Sequence, residues 1–219
     1  MMAFATDRDL LVPEPNLFRD MSFASQILAI GSDGTIGGTT FTSFTSNFTN
    51  VGIDAGHVIV VGGVALEVVS RLSATQLVVS RLRPDGNNGS LLPPTSGNNL
   101  TFQVCSYAPQ IESVHALIQN ACELHAVGSS GVSSSSYPED QVVNPDEIVR
   151  VEVMGALYLA FAAAGSLTGA SNAELAQRAE LYRQRYDAAR SAARVLIDTN
   201  GDGEAEIVRT MNTVKFFRN

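Results

Sequence analysis

HVIVVGGVALEVVS, residues 57–70, decides the fold. His57 to Val61 and Val64 to Ser70 are two β-branched runs joined by Gly62-Gly63, the two-residue glycine turn of a β-hairpin. The pentapeptide VVSRL at Val68–Leu72 recurs at Val78–Leu82, ten residues on. That spacing suits a strand plus a turn in a β-meander, and two copies are too few for a solenoid. Strands are therefore expected near 57–61, 64–71, 76–82 and 99–105. Gly34 to Gly38 (GTIGG) reads as a turn. The stretch RPDGNNGSLLPPTSGNN, residues 83–99, is a long turn-rich loop between the last two strands. From Gly31 to Cys105 the chain is rich in Thr, Val, Gly and Ser, which predicts a small antiparallel barrel or sandwich.

The flanks read as helix. Thr6 with Asp9 starts a short piece that Pro13 and Pro15 stop, and Met21 to Ile30 reads as a second, with Phe23, Ile27 and Ile30 at helical spacing. Pro109 opens a helix striped with Ile111, Val114, Ile118, Ala121 and His125 and closed by Gly128. Residues 128–143 form a Ser-rich linker. Asn144, Pro145 and Glu147 start a helix that is apolar almost all round to about Ala164. The capping box Ser171/Glu174 opens another, expected to be the longest and to reach Ile197. The fold class is α+β: a helical bundle body (residues 1–30 and 106–206), an inserted antiparallel β-barrel or sandwich (31–105) and a C-terminal extended arm (207–219).

Composition narrows the partners. Charged residues are 16% of 219, against roughly a quarter in an average domain, and Lys215 is the single lysine. At net −8 the chain repels nucleic acid and anionic lipid. The longest apolar run, Val153 to Ala164, is shorter than a membrane span. Two cysteines, Cys105 and Cys122, suit a reducing compartment, so a soluble intracellular protein is expected. Residues 1–149 carry net −9 and residues 150–219 net +1, an asymmetry suited to head-to-tail contact between copies.

Asp198, Asn200, Asp202, Glu204 and Glu206 alternate oxygen side chains, with Gly203 at the sixth position, as in the first half of an EF-hand loop. That pattern suits calcium, but the twelfth position holds Arg209 in place of the bidentate Glu. The alternative is an Asx-turn in which these side chains bond local amides. His115, Cys122 and His125 share a helix at spacings short of a complete zinc set. No nucleophile, phosphate-loop or dinucleotide motif occurs, so no enzyme activity is expected and no cofactor is required. The ending IVRTMNTVKFFRN carries Arg209, Lys215 and Arg218 with Phe216-Phe217, and reads either as a strand folded back or as an arm docking on another subunit.

ATDRDLL at 5–11, AGHVIVVGG at 55–63, EVVSR at 67–71 and, above all, a long helix entering DTNGDGEAE-x-x-Arg at 198–209 resemble head-to-tail adaptor (connector, head-completion) proteins of tailed bacteriophages. The resemblance implies a non-enzymatic virion protein of the neck, assembled in the host cytoplasm. It implies a ring, usually of twelve copies, between the portal protein and a tail or stopper/nozzle protein, with DNA passing through the channel. It places Lys215, Phe216, Phe217 and Arg218 in a portal-docking arm, and Glu206 and Arg209 fit the family's acid-then-arginine pattern. The large β-insertion is not shared by the smallest members. A calcium-stabilised binding module is the second reading of the same loop.

Overall fold

The computed structural model describes residues 3–84, 86, 89–129, 136–167 and 173–211. The chain mixes helix and strand in two compact units, Thr6–Ala108 and Met1–Ala5 with Pro109–Asn219.

The first unit is a closed antiparallel barrel. Its strands are β1 (Ile27–Gly37), β2 (Thr40–Thr42), β3 (Val58–Val61), β4 (Val64–Ser73), β5 (Gln76–Ser80) and β6 (Gly97–Cys105), closing in the order β1-β2-β5-β4-β3-β6. The decisive hairpin forms as expected. Val61 pairs Val64 around Gly62 and Gly63, whose φ of 56° and 82° suit glycine at both turn positions. Ile59, Val61, Leu66, Val68, Leu77 and Val79 point inward and are buried, joined by Phe41, Phe48, Phe102 and Val104. The two VVSRL copies fall at β4 and β5, which pair with each other, Val68 opposite Val79.

β1 and β2 correct the expectation for this region. Met21–Ile30 is not a helix: a 3-10 turn, Ala24–Gln26, leads straight into β1. The helical spacing of Phe23, Ile27 and Ile30 covers too few residues to outweigh pairing with β6, where Ile27 lies opposite Cys105 and Ile30 opposite Gln103. Residues 34–37 of the expected GTIGG turn lie in the same strand. A Cβ at Gly31 would sit 2.6 Å from the Phe102 ring, so glycine lets this bulged strand cross close over the core.

Residues 6–30 group with the barrel rather than with the helices of the second unit. α1 (Asp7–Leu11), capped by the Thr6/Asp9 box, and α2 (Leu17–Asp20) bury Leu10, Leu11, Leu17 and Phe18. Tyr107, fully buried after β6, packs edge-on against Phe18 and Phe23 and donates its hydroxyl to the Met21 carbonyl. Its amide donates to Asp7, whose burial pushes that carboxyl up to about 6.

A buried ion triad joins this strap to the barrel. Glu67 on β4 is fully enclosed and accepts from Arg8 Nε at 2.5 Å and from Arg83 Nε. Arg8 Nη2 also donates to the Arg83 carbonyl, and Arg83 donates to the carbonyls of Gly86 and Gly89. The long loop after β5 is thus pinned at its start, and Leu92 is held by Ser80 Oγ.

The second unit holds α3 (Ala108–Cys122), β7 (Leu124–His125), β8 (Tyr137–Pro138), α4 (Pro145–Leu167), α5 (Ala173–Ala192), β9 (Arg194–Ile197) and β10 (Ile207–Thr210). α3 ends at Cys122, short of Gly128, because Glu123 turns to φ 58° and Leu124–His125 pair in parallel with Tyr137–Pro138. Part of the expected linker is therefore ordered, including a 3-10 turn at Glu139–Gln141; residues 130–135 lie outside the described residues. α5 stops at Ala192, so the longest helix is α4. Val195, Leu196 and Ile197 form β9 instead, paired with β10. Residues 207–210, expected in an extended arm, are that partner strand, and Met211 is buried. Lys215, Phe216, Phe217 and Arg218 lie outside the described residues.

Pro145–Ser166 is long and apolar enough to cross a membrane by length and composition, with mean hydropathy 1.6. More than half of its most apolar window is buried inside the protein, as in a core helix: Ile148, Val151, Ala156, Leu157 and Ala160 are enclosed.

Replacing Glu67 with Ala strands two partly or fully buried guanidinium groups. The variant is expected to lose about 3–5 kcal/mol, the usual cost of an uncompensated buried charge, read as a lower urea midpoint.

Candidate functional site

The loop between β9 and β10 carries the acidic motif, and its geometry is closed on itself. Asp198 Oδ1 accepts the amides of Asn200 (3.1 Å) and Gly201 (2.6 Å), and Oδ2 accepts that of Gly203 (2.7 Å). These amides, Gly203's first, hold the Asp198 carboxyl below the usual carboxylate range. Glu206 accepts from the amide and hydroxyl of Thr199 at 2.7 and 3.1 Å. Asn200 reaches across, donating from Nδ2 to Asp202 at 3.1 Å and to Glu206 at 2.8 Å.

The fold therefore brings together Asp198, Asn200, Asp202 and Glu206. Ligand atoms of the three acids lie within 4.8 Å of one another, a donor set of hard oxygens suited to calcium. Asn200 Nδ2 bridges Asp202 and Glu206, and Asp198, Asn200 and Asp202 each accept the amide two residues on, the Asx-turn arrangement. Glu204 is exposed and gives its backbone amide to Asp202. Arg209 is engaged elsewhere in the same unit: its guanidinium pairs with Glu123 at 2.8 Å and lies over the Tyr137 ring at 5.5 Å. Arg209, expected in the C-terminal arm, thus lies in β10, where the hairpin register turns it toward the end of α3.

A second cluster was not singled out by motif. His115 on α3 is fully buried, with Nδ1 2.7 Å from Glu152 of α4, itself fully buried, and Nε2 2.8 Å from Glu139. Gln119 donates to Glu139 at 2.5 Å. The other Glu152 oxygen accepts the Ala5 amide at 2.6 Å, and the Phe4 ring tilts against His115. The incomplete zinc set of His115, Cys122 and His125 does not gather among the described residues: His125 lies in β7, past the end of α3, the partners of His115 are carboxylates, and burial pushes the Cys122 thiol up to about 11. The one available sequence signal was a lone acid, Glu152, inside an apolar helix.

Two cavities are lined by described residues. One of about 630 Å³ lies between α4 and α5, beside Tyr158, Phe161, Ala179 and Arg183. The other, about 350 Å³, opens at one end of the barrel beside Ile36, Val61, Val64, Leu66, Leu100 and Arg81. Neither brings a nucleophile to a base: Ser166 at the first spends its hydroxyl on the Ala163 carbonyl. Comparison with protein-family models, curated proteins and solved structures found no match to this chain.

Burial lowers the His115 pKa, but Glu152 and Glu139 outweigh it and raise it above the ordinary 6.5. The stabilisation is complete below 6.5 and is lost as pH rises through the raised value. His115→Gln is therefore expected to melt lower at neutral pH and to lose the alkaline decline of the parent, checked by melts across pH and by an NMR titration of the ring.

Proposed function

We propose that this chain is a structural connector: a subunit of an oligomeric ring in the virion neck, joining the portal to the tail and letting DNA pass without sequence-specific binding. The observation that carries this reading is the terminal element, a long helix running into a β-hairpin whose loop holds the acid-then-arginine pattern. Glu206 closes the loop and Arg209 locks the hairpin to Glu123 and Tyr137, so the chain after Met211 starts from a fixed point. That supports α3, α4 and α5 as a bundle-like body and residues 212–219, with Lys215, Phe216, Phe217 and Arg218, as the portal-docking arm.

The chain's charge supports the same reading. Few charges favour a surface covered by copies of itself, and the net negative charge keeps the DNA backbone from adhering to a channel wall.

The three carboxylates within 4.8 Å favour a second reading, a calcium-stabilised interaction module. Calcium titration of the monomer by calorimetry decides it: a flat trace with an unshifted melting temperature removes it.

For the connector, negative-stain microscopy of the full chain, alone and with a candidate portal, is expected to show rings in at least one condition. Deleting residues 212–219 is expected to abolish portal capture and leave the melting temperature unchanged. A strict monomer in both conditions overturns the reading.

A further inference from the structure

Phe44 is the most exposed large apolar side chain among the described residues, at 83%. Asp33 on β1 accepts the amides of Phe44 (2.8 Å) and Thr45 (3.0 Å) and the hydroxyls of Ser43 and Thr45, both at 2.9 Å. Four bonds to one carboxylate fix the backbone of the turn after β2, so Phe44 projects from a set position, with a negative charge at its base. Pre-organised aromatic side chains are the usual anchors of protein interfaces, because little entropy remains to be lost on docking.

The pairing registers put this anchor and the barrel's cavity at opposite ends. Ser43 bonds Thr75 in the β4–β5 turn, at the start of β5. The cavity lies at the other end of the strands, beside the β3–β4 turn, the end of β1 and Arg81, just past β5. Its walls are Ile36, Val61, Val64, Leu66 and Leu100. Arg81 is fixed at the rim, its Nε and Nη2 bonding the Pro93 carbonyl at 3.2 and 3.0 Å. An apolar cavity of roughly 150 Å³ already admits benzene, so one of about 350 Å³ has room for the Phe44 ring.

We propose that the barrels of neighbouring copies join head to tail, Phe44 of one filling the open barrel end of the next, with Asp33 facing the Arg81 rim. The occupant is a second copy of this chain, since the same barrel carries an apolar anchor with an anionic base at one end and an apolar hole with a cationic rim at the other. Such a heterologous contact repeats around a ring when its rotation closes. The proposal rests on the ring reading and gives the barrel a role in it as the link between subunits.

The test pairs Phe44→Cys with Val64→Cys in the full chain, whose native Cys105 and Cys122 are buried. Oxidised during assembly, alone or on a portal, the double variant is expected to give a ladder of trimers and larger species on a non-reducing gel. Each single variant should give dimers at most. Phe44→Asp is expected to abolish assembly while melting as the parent does, because Phe44 supports no core. If Phe44→Asp does not fold, the cysteine pair still decides. Rings that persist in Phe44→Asp, or lost assembly without a ladder in the cysteine pair, overturn this contact. If the parent forms rings in those cases, the connector reading stands. A parent that never assembles overturns both.

Discussion

Glu67 cannot leave its place. It is a carboxylate with no exposed surface, held between Arg8 and Arg83, and each arginine ties a segment outside the strands to the barrel. Arg8 brings the N-terminal strap across to β4, and Arg83 gathers the carbonyls of the loop that follows β5. Buried ion pairs add little net stability compared with apolar packing, but removing one member leaves a charge that nothing solvates. The triad thus acts as a placement device: the strap and the loop have one arrangement in which all three charges are met.

The second unit uses the same physics around Glu152. A single acid in the apolar face of α4 must find a cation and a donor, and it finds His115 on α3 and the Ala5 amide. Glu139 meets the far side of the imidazole, so one buried ring ties together α3, α4, the first residues of the chain and the turn before α4. The acidic loop differs in kind. Its side-chain bonds are local, each spanning fewer than eight residues, and the buried Asp198 is joined to the rest of the unit through its amide, which donates to the Gln141 carbonyl.

That contrast explains which parts could be read early. The Gly62-Gly63 hairpin, the Thr6/Asp9 capping box of α1 and the turn at Asp198 depend on neighbours in sequence, whereas Asn144, expected to cap α4, spends its side chain on the Arg194 carbonyl and the Leu196 amide of β9. β1 depends on β6, far along the chain, and β9 on β10, which reaches it only once the Asp198 loop has turned the chain back. Ile27 and Ile30 satisfy a helical spacing as well as a strand, and Val195 to Ile197 continue a helical stripe until β10 is present to pair them. The His115 cluster was invisible for a related reason: its hydrogen-bonded pairs stand 20 to 147 positions apart. Nothing short of the packed unit places them together.

The amino-acid sequence by itself determined the mixed α and β class, the barrel's central hairpins, the low net-negative charge and the turn at Asp198, because each follows from composition or from residues within a few positions. Tertiary structure alone decided that six strands close the barrel, that residues 6–30 belong to it, and that Arg209 is spent within its own unit. Those outcomes turn on which open strand edge or buried charge finds its partner, and that choice is made between segments distant along the chain.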